Sequence, residues 1–400
     1  MKPAHFNLSL CSKYSSYEMK SAVLLRRVRR VIPFIVLSML AYIDYASCYI
    51  VAWKEVYHLH SATAAIVYWV LLALFQATHL FYWALIFIRG TGKIPQFQHF
   101  DLYGTKSETN APVPEVFVCD EQGFPFWCSK CQNLKPDRSF HSSDLDICVP
   151  RFDHFCLWIG TAIGRENFLP FVKFLQSFSA YSIISLCFVA VYGRSALHHN
   201  RFNLHFVALF IMNACIIMMT MALLIGTAKN TFTNSTSFDE ITRRQAQSHN
   251  RWLQKQANMN PKYTWCAGRM PRVESGIRYV NMAHDDTRKV VSFNVRDNPY
   301  SNGFRVNLIN TCLNGNYNLN STTKNAGNST FLWASFVLIV PFAEFLVTVP
   351  ARKDDLGEFQ KNSDEMSPSF ISKILDKIEK NQFQYAQYLS PRNDMDTPKE

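Results

Sequence analysis

The sequence predicts a membrane protein of the all-α class: four transmembrane helices, with a small cysteine-rich domain between the second and the third. Three observations carry this expectation. Apolar residues come in four blocks close to the ~20 residues a helix needs to cross a hydrocarbon core, at 31–53, 62–88, 171–192 and 204–227. The chain of 400 residues is 48% hydrophobic with 32 Phe, yet its mean hydropathy is near zero, so very apolar stretches alternate with very polar ones. Cys128, Cys131, Cys148 and Cys156, with His141 among them, cluster in the interval between the second and third blocks. Four near-membrane-length runs in one chain set this reading above buried helices of a soluble core.

Residues 1–30 form a polar N-terminal region that ends in Arg26, Arg27, Arg29 and Arg30. No cleaved leader is expected, because the first apolar run starts only at Val31 and is too long for a signal core. The connection between the first two blocks carries Lys54 offset by Glu55, whereas Arg89 and Lys93 follow the second. The lysine and arginine bias therefore puts the N-terminus, residues 89–170 and the C-terminal region 228–400 on the cytosolic side. The connection 193–203, with two Arg and two His, adds little to this. Asp44 and Lys173 lie inside or at the edge of spans, where charge is costly, and should face the bundle or snorkel.

The formal charge of +11 sits mainly beside the apolar blocks, which points to a lipid bilayer and excludes nucleic acid as the expected partner. Of eleven cysteines, Cys128, Cys131, Cys148 and Cys156 cluster and Cys48, Cys187 and Cys215 lie within apolar runs, which does not read as a secreted disulfide framework. Residues 228–330 are polar with weak periodicity, and 307–328 reads as an inserted loop. A fifth apolar run at 331–349 is broken by Pro341 and Glu344; it is expected to pack against the membrane face without spanning. Residues 351–400 are charged and expected to be mobile, apart from an amphipathic pattern at Ile371, Ile374, Leu375 and Ile378. The sequons at Asn234, Asn320 and Asn328 face the cytosol in this topology and are expected to stay unmodified.

The strongest local signal is the segment 126–171, FWCSKCQNLKPDRSFHSSDLDICVPRFDHFCLWIGTAIGRENFLPF. Cys128 and Cys131 form a C-x2-C knuckle, and His141 and Cys148 complete four ligands. Three thiolates and an imidazole are a closed tetrahedral set for structural zinc; free thiols in a loop are the plain alternative. Ligation can supply on the order of 10 kcal/mol of folding free energy to a segment too poor in apolar residues to bury a core.

Asp153, His154 and Cys156 follow. A free thiol, with a pKa of about 8.5, is mostly protonated at neutral pH, so a nucleophilic cysteine needs a base or a positive neighbour. His154 can take the proton, Asp153 can hold the imidazole in the right tautomer, and Trp158 can wall the site against water. The competing reading makes His154 and Cys156 further metal ligands.

This segment resembles the cysteine-rich domain of the Asp-His-His-Cys (DHHC) protein acyltransferases, small fungal members in particular. It matches their pattern without gaps at Cys128, Cys131, Lys135, Pro136, Arg138, His141, Cys148, Asp153, His154, Cys156, Trp158, Gly164, Asn167 and Phe171. Ser142, Leu145, Phe155 and Ala162 stand where the family places the ligands of a second zinc. All four ligands of one site are gone and all four of the other remain, so the resemblance implies one zinc. After the second span, Gly90-Thr91-Gly92-Lys93-Ile94-Pro95 replaces the family's Asp-Pro-Gly. Thr236-Ser237-Phe238-Asp239 resembles its Thr-Thr-x-Glu, and Asn298-Pro299-Tyr300 with Gly303 and Asn307 its C-terminal element.

The resemblance implies a protein S-acyltransferase. Palmitoyl-CoA, or a similar acyl-CoA, would acylate Cys156, and a thiol of a cytosol-facing, membrane-associated protein with an accessible cysteine would take the group. Lys135, Arg138, Arg151 and Arg165 are candidates to meet the CoA phosphates, against an ordinary basic surface. Phe171, Phe174, Phe178 and Tyr181 recur at helical spacing on the third span; helix packing is the expected role, with an acyl cavity as the alternative. An inactive zinc-binding membrane scaffold is the competing function. The missing second zinc site favours it, and the intact Asp153, His154 and Cys156 oppose it. A RING-type ligase would need eight zinc ligands, and a transporter more charge within the spans.

Overall fold

The computed structural model describes residues 28–29, 31–96, 113–199, 203–259, 276–285, 287–312, 328–346 and 357–386. Arg26, Arg27 and Arg30, the sequon at Asn320, most of the 307–328 loop and the tail beyond Ala386 lie outside them. Four helices are long and apolar enough to cross a membrane: α1 (Val31–Tyr57), α2 (Ala62–Arg89), α3 (Phe168–His198) and α4 (Leu204–Thr233). Each runs past its apolar block. At 1.5 Å per residue, the 28 to 31 residues of α2, α3 and α4 reach about 42–46 Å, close to the thickness of core plus headgroups. The second half of α1, Ala46–Tyr57, is wound as a π-helix.

The chain divides into two compact units, the first comprising residues 1–83, 155–162 and 174–221. Its outward residues are apolar, Phe34, Ile35, Val70, Leu74, Phe210, Ile211 and Met218 among them, as expected where the solvent is lipid. Polar groups turn inward. The Ser185 hydroxyl meets Ser47 Oγ at 3.0 Å and receives bonds from Tyr68 and Asn213, which joins all four helices at one oxygen. Asp44 accepts from Gln76 Nε2 at 2.7 Å and from the Tyr181 hydroxyl, so its charge faces the bundle as expected. Phe174, Phe178 and Tyr181 pack around the buried ring of His79, which supports the packing role of that stripe.

The second unit comprises residues 84–154, 163–173 and 222–400. It adds extended structure to the helical spans. Short hairpins pair β2 (Trp127–Cys128) with β3 (Asn133–Leu134) and β4 (Phe140–Ser142) with β5 (Ile147–Val149). A further hairpin pairs β6 (His154–Cys156) with β7 (Thr161–Ile163); its residues 155–162 belong to the first unit. An antiparallel four-stranded sheet has the order β1 (Val116–Cys119), β8 (Ile277–His284), β9 (Thr287–Asn294), β10 (Gln384–Tyr385).

After α4 come α5 (Ser237–Met259), α6 (Phe304–Cys312), α7 (Asn328–Ile339), α8 (Gly357–Glu365) and α9 (Pro368–Glu379). The amphipathic pattern at Ile371, Ile374, Leu375 and Ile378 forms α9 as expected, and the expectation of mobility is corrected for the rest of 357–386. Phe370, Ile374 and Ile378 of α9 bury one face of the sheet at Val116, Val118, Val280, Val291 and Phe293, and Phe359 of α8 covers the other at Phe117 and Val290. Residues 228–330, polar and weakly periodic in sequence, supply α5, β8, β9 and α6.

The apolar run 331–349 enters α7, whose 12 residues extend about 18 Å, short of a ~30 Å core. Its buried side packs on Leu169, Leu308, Ile309 and Cys312. Lys173 Nζ donates to Leu338 O at 2.9 Å and Val340 O at 2.8 Å. The cation thus neutralises carbonyls at the end of α7, a favourable place for positive charge, and does not snorkel.

Candidate active site and metal centre

Two hairpins deliver the four soft ligands. Cys128 ends β2, and the turn from there to β3 carries Cys131 and then Gln132 in a left-handed conformation (φ 50°). The amide of Cys131 points at Cys128 Sγ, 3.5 Å away. His141 and Cys148 are direct cross-strand partners on β4 and β5, so their side chains leave the same face. The ligand atoms of Cys128, Cys131, His141 and Cys148 all lie within 4.8 Å of one another, with Cys131 Sγ 3.3 Å from His141 Nδ1. His141 Nε2 faces the Asp146 carboxylate at 3.6 Å, the outer-shell partner a metal-bound imidazole usually has. Burial and the neighbouring thiols hold the Cys148 thiol above its ordinary range, a cost that a cation at the centre relieves. The donor set fits one structural zinc. Among the described residues no second such group is present; Ser142 and Ala162 are buried instead.

The chain leaves this centre through Pro150 and enters β6. Gly164 explains the tight packing there: a Cβ at this position would lie 2.5 Å from Val149 Cγ1 and 2.8 Å from Thr91 O. Asn167 Oδ1 accepts from the Gly164 amide at 2.8 Å. These two residues brace the return strand against the backbone that carries the reactive triplet.

Asp153 is buried and saturated with donors. Oδ1 accepts from the Ser237 amide at 2.6 Å, and Oδ2 from the Ser237 hydroxyl at 3.1 Å and His154 Nδ1 at 2.8 Å. Burial alone would raise its pKa. The His154 hydrogen bond and charge, with the bonds from Ser237, outweigh that and leave the carboxyl below its usual range. The ionised carboxylate keeps the proton on Nδ1, so the basic lone pair belongs to Nε2. The ring stands edge-on to Phe171, with centroids 5.2 Å apart. His154 and Cys156 are alternate residues of β6 and share a face of the strand. Neither belongs to the metal cluster, which leaves the extra-ligand reading unsupported. Cys156 is buried and Trp158 is 45% exposed, so the indole is a half-open wall at most.

Ser237 is the functional residue the sequence reading undervalued. Thr236 and Asp239 close a reciprocal cap on α5, with Thr236 N to Asp239 Oδ2 at 2.9 Å and Asp239 N to Thr236 Oγ1 at 3.0 Å. That cap aims Ser237 at Asp153. The Asn298-Pro299-Tyr300 element is placed similarly: Asn298 and Asn307 donate to carbonyls of Thr233 and Phe232 at the end of α4, and Tyr300 OH donates to Asp137 at 2.6 Å.

The four expected phosphate-binding cations part ways. Lys135 lines a cavity of about 290 Å³ together with Arg138, Arg243 and Arg278. Arg138 forms its buried floor, bonded to Asn234 and Asp239. Arg151 donates to Asn234. Arg165 is 4% exposed and pairs with Glu365. Arg243 and Arg278 escaped the sequence reading because they lie far along the chain in α5 and β8.

Fold and site together define a polytopic membrane protein in which a carboxylate-oriented imidazole shares a strand face with a buried cysteine. The family model for the DHHC palmitoyltransferase matches residues 121–244. Palmitoyltransferase PFA5 of Candida albicans is 35% identical over 387 residues, which cover 92% of this chain and 96% of that protein. The PFA5 palmitoyltransferases of Kluyveromyces lactis and Saccharomyces cerevisiae are 32% and 33% identical over 48% and 43% of the chain, and over 58% and 50% of their own lengths. The chain belongs to the DHHC palmitoyltransferase family.

Proposed function

We propose that this protein S-palmitoyltransferase carries a palmitoyl or similar long acyl group on Cys156, between acyl-CoA and the cysteine of a membrane-associated protein. The observation that carries the reading is the 2.8 Å contact of Asp153 with His154 Nδ1, on the strand that also bears Cys156. Cys156 sulfur attacks the thioester carbonyl while His154 Nε2 takes the thiol proton, and the CoA thiolate leaves with that proton. A substrate thiol then gives its proton to His154 and attacks the acyl-cysteine, and Cys156 is released as leaving group. One thioester is exchanged for another, so positioning and a poised thiolate do the catalytic work. Adding an acyl chain, at about 0.8 kcal/mol per buried methylene, converts a weak membrane anchor into a stable one.

Cys128, Cys131, His141 and Cys148 would hold the zinc, whose chemistry is structural: it closes two hairpins that bury no core of their own. Lys135 and Arg243, which line the same cavity, meet phosphates of CoA, and Arg138 is spent on Asp239, Asn234 and Glu365. Arg151 and Arg165 hold the frame. In the membrane, residues 31–88 and 171–227 supply the spans. The N-terminus, 89–170 with the cysteine-rich domain 126–171, and 228–400 face the cytosol. The apolar residues Leu332, Trp333, Ile339 and Leu346 are exposed on α7 and its following turn, which supports 331–349 lying in the membrane face.

Labelling with an alkynyl palmitate analogue tests the reading. Wild-type protein should take up hydroxylamine-labile label, while Cys156→Ser and His154→Ala should lose most of it. Equal labelling of all three would refute the mechanism and favour the scaffold.

A further inference from the structure

Three guanidinium groups, Arg138, Arg151 and Arg165, stand close to the reactive triplet in sequence, and a single carboxylate from the C-terminal helix α8 contacts two of them and lies in the field of the third. Glu365 Oε1 accepts from Arg165 Nη1 at 2.6 Å, and its other oxygen lies 3.8 Å from Arg138 Nη1. The side chains of Glu365, Arg138 and Arg165 are 4% exposed or less; Arg151 is half-buried and donates to Asn234 Oδ1 at 3.0 Å. Asn362, one turn earlier, accepts from Arg165 Nη2 at 3.2 Å and donates to Asp137 O at 2.8 Å. Burial alone would raise the Glu365 pKa. The charges of Arg165, then Arg151 and Arg138, hold it down at about 2.

These arginines carry backbone that fixes Asp153 and His154. The Phe152 amide donates to Arg138 O at 2.9 Å, and the Arg165 amide to Pro150 O at 3.0 Å. Arg138 and Arg151 both sit in the left-handed region, at φ 60° and 44°, a conformation that costs a non-glycine residue free energy and persists only where the surroundings over-determine it. The side-chain network is what over-determines it. Without the carboxylate, three like charges share a desolvated space, which favours their separation.

We propose that Glu365 is a positioning residue for acyl transfer: the C-terminal helix α8 supplies the counter-charge that keeps Arg138, Arg151 and Arg165 in place on both flanks of Asp153 and His154. The inference rests on the acyl-enzyme reading above. It touches no acyl-CoA atom, so its signature is a rate effect without an affinity effect. Full-length purified protein is given alkynyl palmitoyl-CoA over a range of concentrations, and the loading rate of Cys156 is followed with zinc content and elution profile as fold controls. Glu365→Gln should load at least tenfold more slowly at saturation, with the half-saturating concentration within twofold of wild type and zinc retained. Glu365→Asp, which keeps the charge, should recover at least a third of the wild-type rate.

Wild-type loading by Glu365→Gln would overturn the proposal. So would equal loss in both variants, or a weakened half-saturation that accounts for the loss. If Glu365→Gln does not yield monodisperse protein, Asn362→Ala decides: it removes the amide that orients the same guanidinium through Nη2 while leaving the carboxylate. A severalfold lower rate at unchanged half-saturation then supports the proposal, and a wild-type rate overturns it. Absence of label from wild-type Cys156 would overturn the acyl-enzyme reading itself, and this inference with it.

Discussion

Replacing Asp153 with Asn tests how the imidazole is held. The amide has the shape of the carboxylate, and its oxygen can still accept from the Ser237 amide that now lies 2.6 Å from Oδ1. Its nitrogen then faces His154 Nδ1, 2.8 Å away, which places two donors against each other. The ring relieves this by moving its proton to Nε2, where it can no longer accept one from a thiol. A lost hydrogen bond to a charged group is worth about 1.5–3 kcal/mol, or roughly 10- to 150-fold at 1.36 kcal/mol per decade; the analogous tautomer inversion in a serine protease triad costs about 10⁴. Asp153→Asn should therefore slow Cys156 loading about a hundredfold or more, with zinc content unchanged. Because Asp153 acts through His154, the double variant with His154→Ala should be no slower than His154→Ala alone. A variant that keeps half the wild-type rate, or losses that multiply in the double variant, would refute the reasoning.

Other consequences follow from the same contacts. Zinc measured on purified protein should be close to one per chain; two would contradict the single-site reading. Cys148→Ser removes one of four ligands and should abolish zinc and monodisperse elution, because ligation contributes on the order of 10 kcal/mol to folding such a segment. The Glu365 carboxyl, held near 2 against an ordinary 4.5, stabilises the fold fully above pH 4.5 and loses that contribution as pH falls towards 2. The difference amounts to about 3 kcal/mol, so the melting-temperature gap between wild type and Glu365→Gln should shrink between pH 5 and pH 3. A gap independent of pH would argue against the ionised network. Gly164→Ala introduces a Cβ 2.5 Å from Val149 Cγ1 and should cost about 1–3 kcal/mol by overpacking, read as a lower melting temperature with reduced loading.

What the sequence made legible was local or strictly periodic. Spans of 27 to 31 residues announce themselves by length, and Cys128, Cys131, His141 and Cys148 by spacing, because hairpins bring near neighbours together. The β8–β9 hairpin was hidden for a physical reason. Val290 packs with Phe117 and Phe359 on one face of the sheet, while Val291 packs with Phe370 and Ile374 on the other. A strand covered on both faces loses the alternation by which strands are recognised. Glu365 was illegible for another reason: in a charged tail it resembles any solvated acid, and only contact with Arg165 across 200 positions gives it a role. The four expected phosphate ligands show the converse. Basic residues near a motif read as a binding surface, yet Arg138 and Arg165 are buried in ion pairs, and only the folded chain distinguishes a cation that meets solvent from one spent internally.

The account depends on acyl transfer through one sulfur, and mass spectrometry of the Cys156 peptide examines this most directly. Preparations that palmitoylate a substrate protein, quenched in acid after brief exposure to palmitoyl-CoA, should yield that peptide with a palmitoyl thioester that hydroxylamine removes. Turnover without any acyl group on Cys156 would contradict the account.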